Sequence, residues 1–116
     1  MVRRSSEQKV TLNEHMRGGS KTVRLETILN GEEELYGKGR LFSKITLEPG
    51  ASIGPHVHEG EMECFYIIKG TCDFDDNGTE TVLHPGDTAL TTSGQQHSIA
   101  NNTEETAELV ALILYK

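Results

Sequence analysis

Residues 55–66 read PHVHEGEMECFY. In an extended chain, residues two apart point to the same face, so His56 and His58 project side by side while Val57 points away. After the interruption EGEM the alternation resumes, with Glu63, Phe65 and Ile67 on one face and Cys64, Tyr66 and Ile68 on the other. A carboxylate at the head of an apolar face is costly to bury unless a cation balances it. A divalent metal held with the two imidazoles would supply that balance.

The segments on either side read as strands. In KTVRLETIL, residues 21–29, Val23, Leu25, Thr27 and Leu29 share one face, and in RLFSKITLEPG, residues 40–50, Leu41, Ser43, Ile45 and Leu47 do the same before a Pro-Gly turn. DDNG at 75–78 is a hairpin turn and HPGD at 84–87 a second turn. AELVALILY, residues 107–115, is continuously apolar after Glu108 and suits a strand covered on both sides. The glycines around GEEELYGKG confine any helix there to about one turn. Several short strands with turn chemistry between them point to an all-β sandwich, barrel or jelly roll.

A third histidine stands in SGQQHSIANN, residues 93–102, where His97 and Ile99 share a face. Three imidazoles and one carboxylate suit one divalent transition metal per chain (Fe, Mn, Ni, Co, Cu or Zn) and leave one or two coordination positions for water or substrate. Phe65 and Ile67 on the Glu63 face, with Ile99, are expected to line the pocket and keep it dry.

Composition narrows the partners. The 116 residues are about one domain long, and the hydrophobic fraction of 34% with few aromatics makes burial modest, so a homodimer is expected to hide more apolar area. Eleven Lys and Arg against eighteen Asp and Glu give a net charge of −7, which repels phosphate backbones and anionic lipid surfaces; neither nucleic acid nor membrane is expected as a partner. No stretch approaches the ~18 apolar residues of a membrane span. The two cysteines, Cys64 and Cys72, make no disulfide framework, and MVRRSSEQKV lacks the apolar run of a signal peptide, so a cytoplasmic location with free thiols is expected. Residues 1–20 are polar, without clear period, and end in Gly-Gly-Ser; they read as an arm or lid, with residues 21–116 as the single domain. Within that arm Arg17 offers a planar fork for an anionic substrate over the barrel mouth, and His15 accompanies it.

The spacing of these groups resembles a known family. Gly50, five residues, HVH, four residues, Glu63, six residues and Gly70 resemble the first motif of the cupin superfamily. Gly86, seven residues, Gly94, two residues, His97, three residues and Asn101 resemble the second. Thr92 stands where that second motif usually has proline, from which a slightly looser loop and an intact ligand set are expected. The resemblance implies a double-stranded β-helix, a small jelly-roll barrel with the metal inside, ligands His56, His58, Glu63 and His97, and commonly a homodimer. Single-domain bacterial cupins that also carry an MRGG segment and a GRLF strand look most similar, and that group has no single activity. Glu61 would replace Glu63 only if the strand register slipped; Glu59 and Glu61 are read as a solvated rim.

The function expected is that of a metal-dependent enzyme acting on a small oxygen-rich molecule, such as a carboxylic acid, enol or sugar derivative, by decarboxylation, isomerisation or dioxygenation. The alternative is a non-catalytic module that holds a small ligand or the metal in the same pocket. The sequence names no catalytic acid or base beyond the ligands. His84 is expected in an exposed turn, Cys64 and Cys72 as small apolar fillers, and Tyr66 in core or dimer packing.

Overall fold

The computed structural model describes residues Met1–Lys116. The alternating segments become ten strands: β1 (Val10–Glu14), β2 (Thr22–Leu29), β3 (Gly39–Leu47), β4 (Ser52–Val57), β5 (Glu61–Lys69), β6 (Cys72–Asp76), β7 (Thr79–Leu83), β8 (Thr88–Thr91), β9 (Gln96–Ala100) and β10 (Ala107–Tyr115). All pair antiparallel, in a six-stranded sheet of order β1-β2-β3-β10-β5-β8 and a four-stranded sheet of order β4-β9-β6-β7. The result is an all-β jelly roll, as the strand pattern implied.

The core lies between the sheets. Val23, Ile45, Leu47, Ile67 and Leu109 enter it from the larger sheet and Ile53, Phe74 and Ile99 from the smaller, each 3% exposed or less. Phe65 and Phe74 meet across the gap edge to face, ring centroids 6.1 Å apart. Each such side chain contributes about 1.5–3 kcal/mol by leaving water, so the apolar faces set the pairing register against the cost of ordering the chain.

Turn chemistry lands as read. Asn77 and Gly78, at φ 49° and 97°, close the two-residue loop between β6 and β7, the backbone for which Asn-Gly is suited. The one-turn helix α1 (Gly31–Glu34) is confined as the flanking glycines require. Two segments differ from expectation. β10 sits centrally between β3 and β5, but only one of its faces is buried; Val110, Leu112 and Leu114 on the other are half-buried. Its apolar run from Leu109 onward comes from two distinct faces, one in the core and one outside. Within residues 1–20, Val10–Glu14 pairs with β2 as an edge strand, register Leu12 to Arg24. Leu12 stays 62% exposed, so the short alternation there carries little hydrophobic contrast to read.

Candidate metal centre

Strands of both sheets bring the site together. On β4 the Gly54-Pro55 pair interrupts the ladder, because proline has no N–H to donate, and the register shifts between Ile53 and His56. The shift sets His56 directly opposite His97 of β9, on one face of the sheet. His58 follows just past the end of β4, clamped at both backbone groups: its N–H donates to Gln95 O at 3.1 Å and its carbonyl accepts from Gly94 N–H at 2.6 Å. Glu63 arrives from β5 across the gap, 6% exposed.

The four side chains converge. Nε2 of His97 lies 3.0 Å from Nε2 of His58 and 3.1 Å from Nε2 of His56, and Glu63 Oε1 lies 3.0 Å from the Nε2 of both His58 and His97 and 4.0 Å from that of His56. All four donor atoms fall within 4.8 Å of one another. The outer ring nitrogens are occupied elsewhere. His56 Nδ1 meets Gly54 O at 2.8 Å, and His58 Nδ1 meets Glu61 Oε1 at 2.9 Å; because a carbonyl and a carboxylate only accept, both Nδ1 atoms carry the proton and both Nε2 atoms present lone pairs. His97 Nδ1 meets the hydroxyl of Thr91 at 2.8 Å. Lone pairs and a carboxylate aimed at one another in a buried space repel unless a cation stands between them. Contacts of about 3 Å are also those of adjacent ligands around an ion with bonds of about 2.1 Å. The donor set therefore fits a divalent transition metal.

The electrostatics follow the contacts. Burial holds the His56 imidazole below its ordinary pKa, since no carboxylate is within hydrogen-bonding distance. The carboxylate of Glu63 beside Nε2, helped by that of Glu61 at Nδ1, favours the protonated ring and raises the pKa of His58. For Glu63 burial alone would push the carboxyl up, but the imidazoles of His58 and His97 3.0 Å away outweigh it and hold it below the usual range. Burial raises Cys72 to about 11 and also raises Cys64, so neither thiol is a reactive thiolate.

A cavity of about 40 Å³ lies against the cluster, lined by His56, His58 and Glu63 together with Met16, Arg17, Arg40 and Leu41. A second cavity of about 350 Å³ shares Leu25, Arg40 and Leu41 with it and opens among Lys9, Thr11, Thr27 and Ser43. Arg17 is thus among the residues that line the cavity beside the donors. Its turn, Met16–Gly18, is docked backbone to backbone on β4: a Cβ on Gly54 would overlap the Arg17 carbonyl, and one on Gly19 would overlap that of Ser52. Arg17 itself sits at φ 54°, a left-handed conformation that non-glycine residues seldom hold. A larger groove, about 560 Å³, is lined by Asp73, Asp75 and Glu80 and no histidine, and the four donors do not line it.

The remaining expected residues are placed as follows. Phe65 stacks on His97, ring centroids 5.1 Å apart and planes 14° off parallel, and Ile67 is fully buried; neither lines the cavity beside the donors. Ile99 is buried and borders the large groove. His84 is exposed. Thr92 does what proline could not: its N–H and hydroxyl both donate to Gln95 Oε1 at 3.0 Å, closing the loop rather than loosening it. Asn101 is fully buried and donates to the carbonyls of Leu47 and Glu105, a purely structural tie. Sequence reasoning missed Met16, Arg40, Leu41 and Thr91, and it took Glu61 for a solvated rim. Glu61 shares the strand face of Glu63, and that period-2 relation was the available signal.

Fold and site together define a cupin, and the chain belongs to that family: its residues 43–113 match the family model described as Cupin domain. Over 114 residues, 98% of this chain and 93% of the relative, it is 41% identical to the oxalate-binding protein of Thermotoga maritima. It also superimposes on the crystal structure of a predicted oxalate decarboxylase from Thermotoga maritima with a TM-score of 0.94 at 40% identity, covering 100% of both chains. The cupin domain of Schizosaccharomyces pombe Cnp3 matches with a TM-score of 0.72 at 15% identity, over 93% of this chain and 70% of that one, a likeness of fold alone.

Proposed function

We propose that this cupin holds one divalent transition metal through His56, His58, Glu63 and His97 and acts as an enzyme on a small carboxylic acid. The observation that carries the reading is the convergence of four donors, three buried and His56 partly so, with the imidazole protons of His56 and His58 turned outward. When bound, the metal supplies Lewis acidity toward ligand oxygens, or redox chemistry if it is iron, manganese or copper. The chain supplies the rest. Arg17 faces the same cavity and offers a fork for a carboxylate, and residues 1–20 serve as its lid, fixed to the domain through β1 and the glycine-docked turn. The larger cavity shared through Arg40 and Leu41 is the route in.

The relatives' names favour a dicarboxylic acid of the oxalate type, with decarboxylation first among the reactions and isomerisation or dioxygenation behind it. A second reading, binding without turnover, draws on the relative named for binding. The free thiols suit the cytoplasm, and the apolar outer face of the larger sheet suits a homodimer.

Element analysis of the purified protein should find about one first-row transition metal per chain, and the double variant His56→Ala, His58→Ala should carry none; full metal in the double variant rejects the site. Calorimetry with oxalate should show binding that weakens about 10- to 100-fold in Arg17→Ala, the size of a lost charged hydrogen bond. Metal-dependent loss of oxalate, followed by product analysis, separates the enzyme from the binding module.

A further inference from the structure

The three imidazoles are not held alike. His56 Nδ1 meets a backbone carbonyl and His97 Nδ1 a hydroxyl, but His58 Nδ1 meets the carboxylate of Glu61 at 2.9 Å. That carboxylate is gripped from its far side: Arg40 Nε donates to Oε2 at 2.8 Å and its terminal nitrogen to Oε1 at 2.6 Å. The guanidinium fork fixes the carboxylate plane, and the same Oε1 is left to accept from His58. Glu61 is 12% exposed at the side chain and Arg40 37%, so the chain Arg40–Glu61–His58–Glu63 runs from the surface to the buried donors. Arg40 comes from β3 and Glu61 from β5, strands that flank β10.

We infer that Glu61, clamped by Arg40, is a positioning residue for His58, fixing its ring plane and keeping its proton on Nδ1 so that Nε2 is the strongest of the three nitrogen donors. The inference rests on the metal reading of the cluster. An anionic acceptor on the outer nitrogen raises the basicity of the inner one, and a fixed acceptor spares the ring the cost of being ordered on binding. It also divides labour between the two guanidinium groups at the cavity: Arg40 is engaged with Glu61, which leaves Arg17 for the ligand.

The test titrates metal-free protein with Zn(II) against a chromophoric chelator for the wild type, Glu61→Gln, Arg40→Ala and the double variant, with thermal melting of each metal-free protein to establish that it folds. Glu61→Gln should bind Zn(II) about 10- to 100-fold more weakly. Arg40→Ala should weaken it in the same direction by a smaller factor, and the double variant should bind no more weakly than Glu61→Gln alone, because Arg40 acts only through Glu61. Co(II) loaded into Glu61→Gln should show a shifted visible spectrum, which a general loss of stability would not produce. Should Glu61→Gln not fold, Arg40→Ala carries the test, being outside the donor set and more exposed than Glu61. Zn(II) affinity within twofold of wild type in the folded variants overturns the positioning role while leaving the metal site standing. Absence of Zn(II) binding by the wild type overturns the metal reading and this inference with it.

Discussion

The two faces of β5 make opposite use of similar side chains. Inward it presents Glu63, Phe65 and Ile67, which are 6%, 2% and 0% exposed; outward it presents Cys64, half-buried, with Tyr66 at 49% and Ile68 at 46%. By apolarity alone the outward face is the better candidate for a core. The inward face carries the charge instead, and the fold tolerates it because His58 and His97 both lie 3.0 Å from the carboxylate. The lesson is that a buried charge with partners around it marks a site, whereas apolarity on the outward face does not by itself place a side chain in the core.

The strongest way to break this contrast is to remove the inner charge. Glu63→Gln keeps the shape and leaves three nitrogens without their counter-charge; metal affinity should fall more than about 100-fold, beyond what loss of an outer acceptor such as Glu61 does. Chelator competition measures it, and an affinity within tenfold of wild type would mean that Glu63 is not a ligand. Next in size is Phe65→Ala. This ring packs against both Phe74 and His97, so its loss should cost about 3–5 kcal/mol in chemical unfolding of the metal-free protein and weaken metal binding through the loosened His97.

What the sequence made legible was whatever depends on local spacing. Strand period, the Asn77-Gly78 turn and the donors at 56, 58 and 63 follow from offsets of a few residues and His97 from the spacing of its own segment, and the structure brings those four side chains together. What it concealed depends on how the strands are arranged in the two sheets. Arg40 meets Glu61 only because both lie at the start of strands that flank β10, and Thr91 meets His97 only because β8 edges the larger sheet while β9 lies in the smaller. β10 was misread for a different reason. Val110, Leu112 and Leu114 are as apolar as Leu109, Ala111 and Ile113, so composition could not reveal that only one of the two sets is in the core.

That outer set sharpens the comparison at its smallest expected effect. Register aligns Phe42 of β3, Leu112 of β10, Cys64 of β5 and Leu90 of β8 in one row across the sheet, with Val110 beside Tyr66 in the next. In a monomer these groups rest against water, and Tyr66→Ser or Leu90→Ser should change unfolding free energy by no more than about 0.5 kcal/mol. In a homodimer built on this face the same changes remove interface contacts, so the sedimentation coefficient should fall toward the monomer value while the Zn(II) affinity of the separated chains stays unchanged. Size and stability both untouched would show that the row is a free surface. Loss of chain stability without a change in size would place the outer face of β5 in the core, and the contrast between its two faces would be gone.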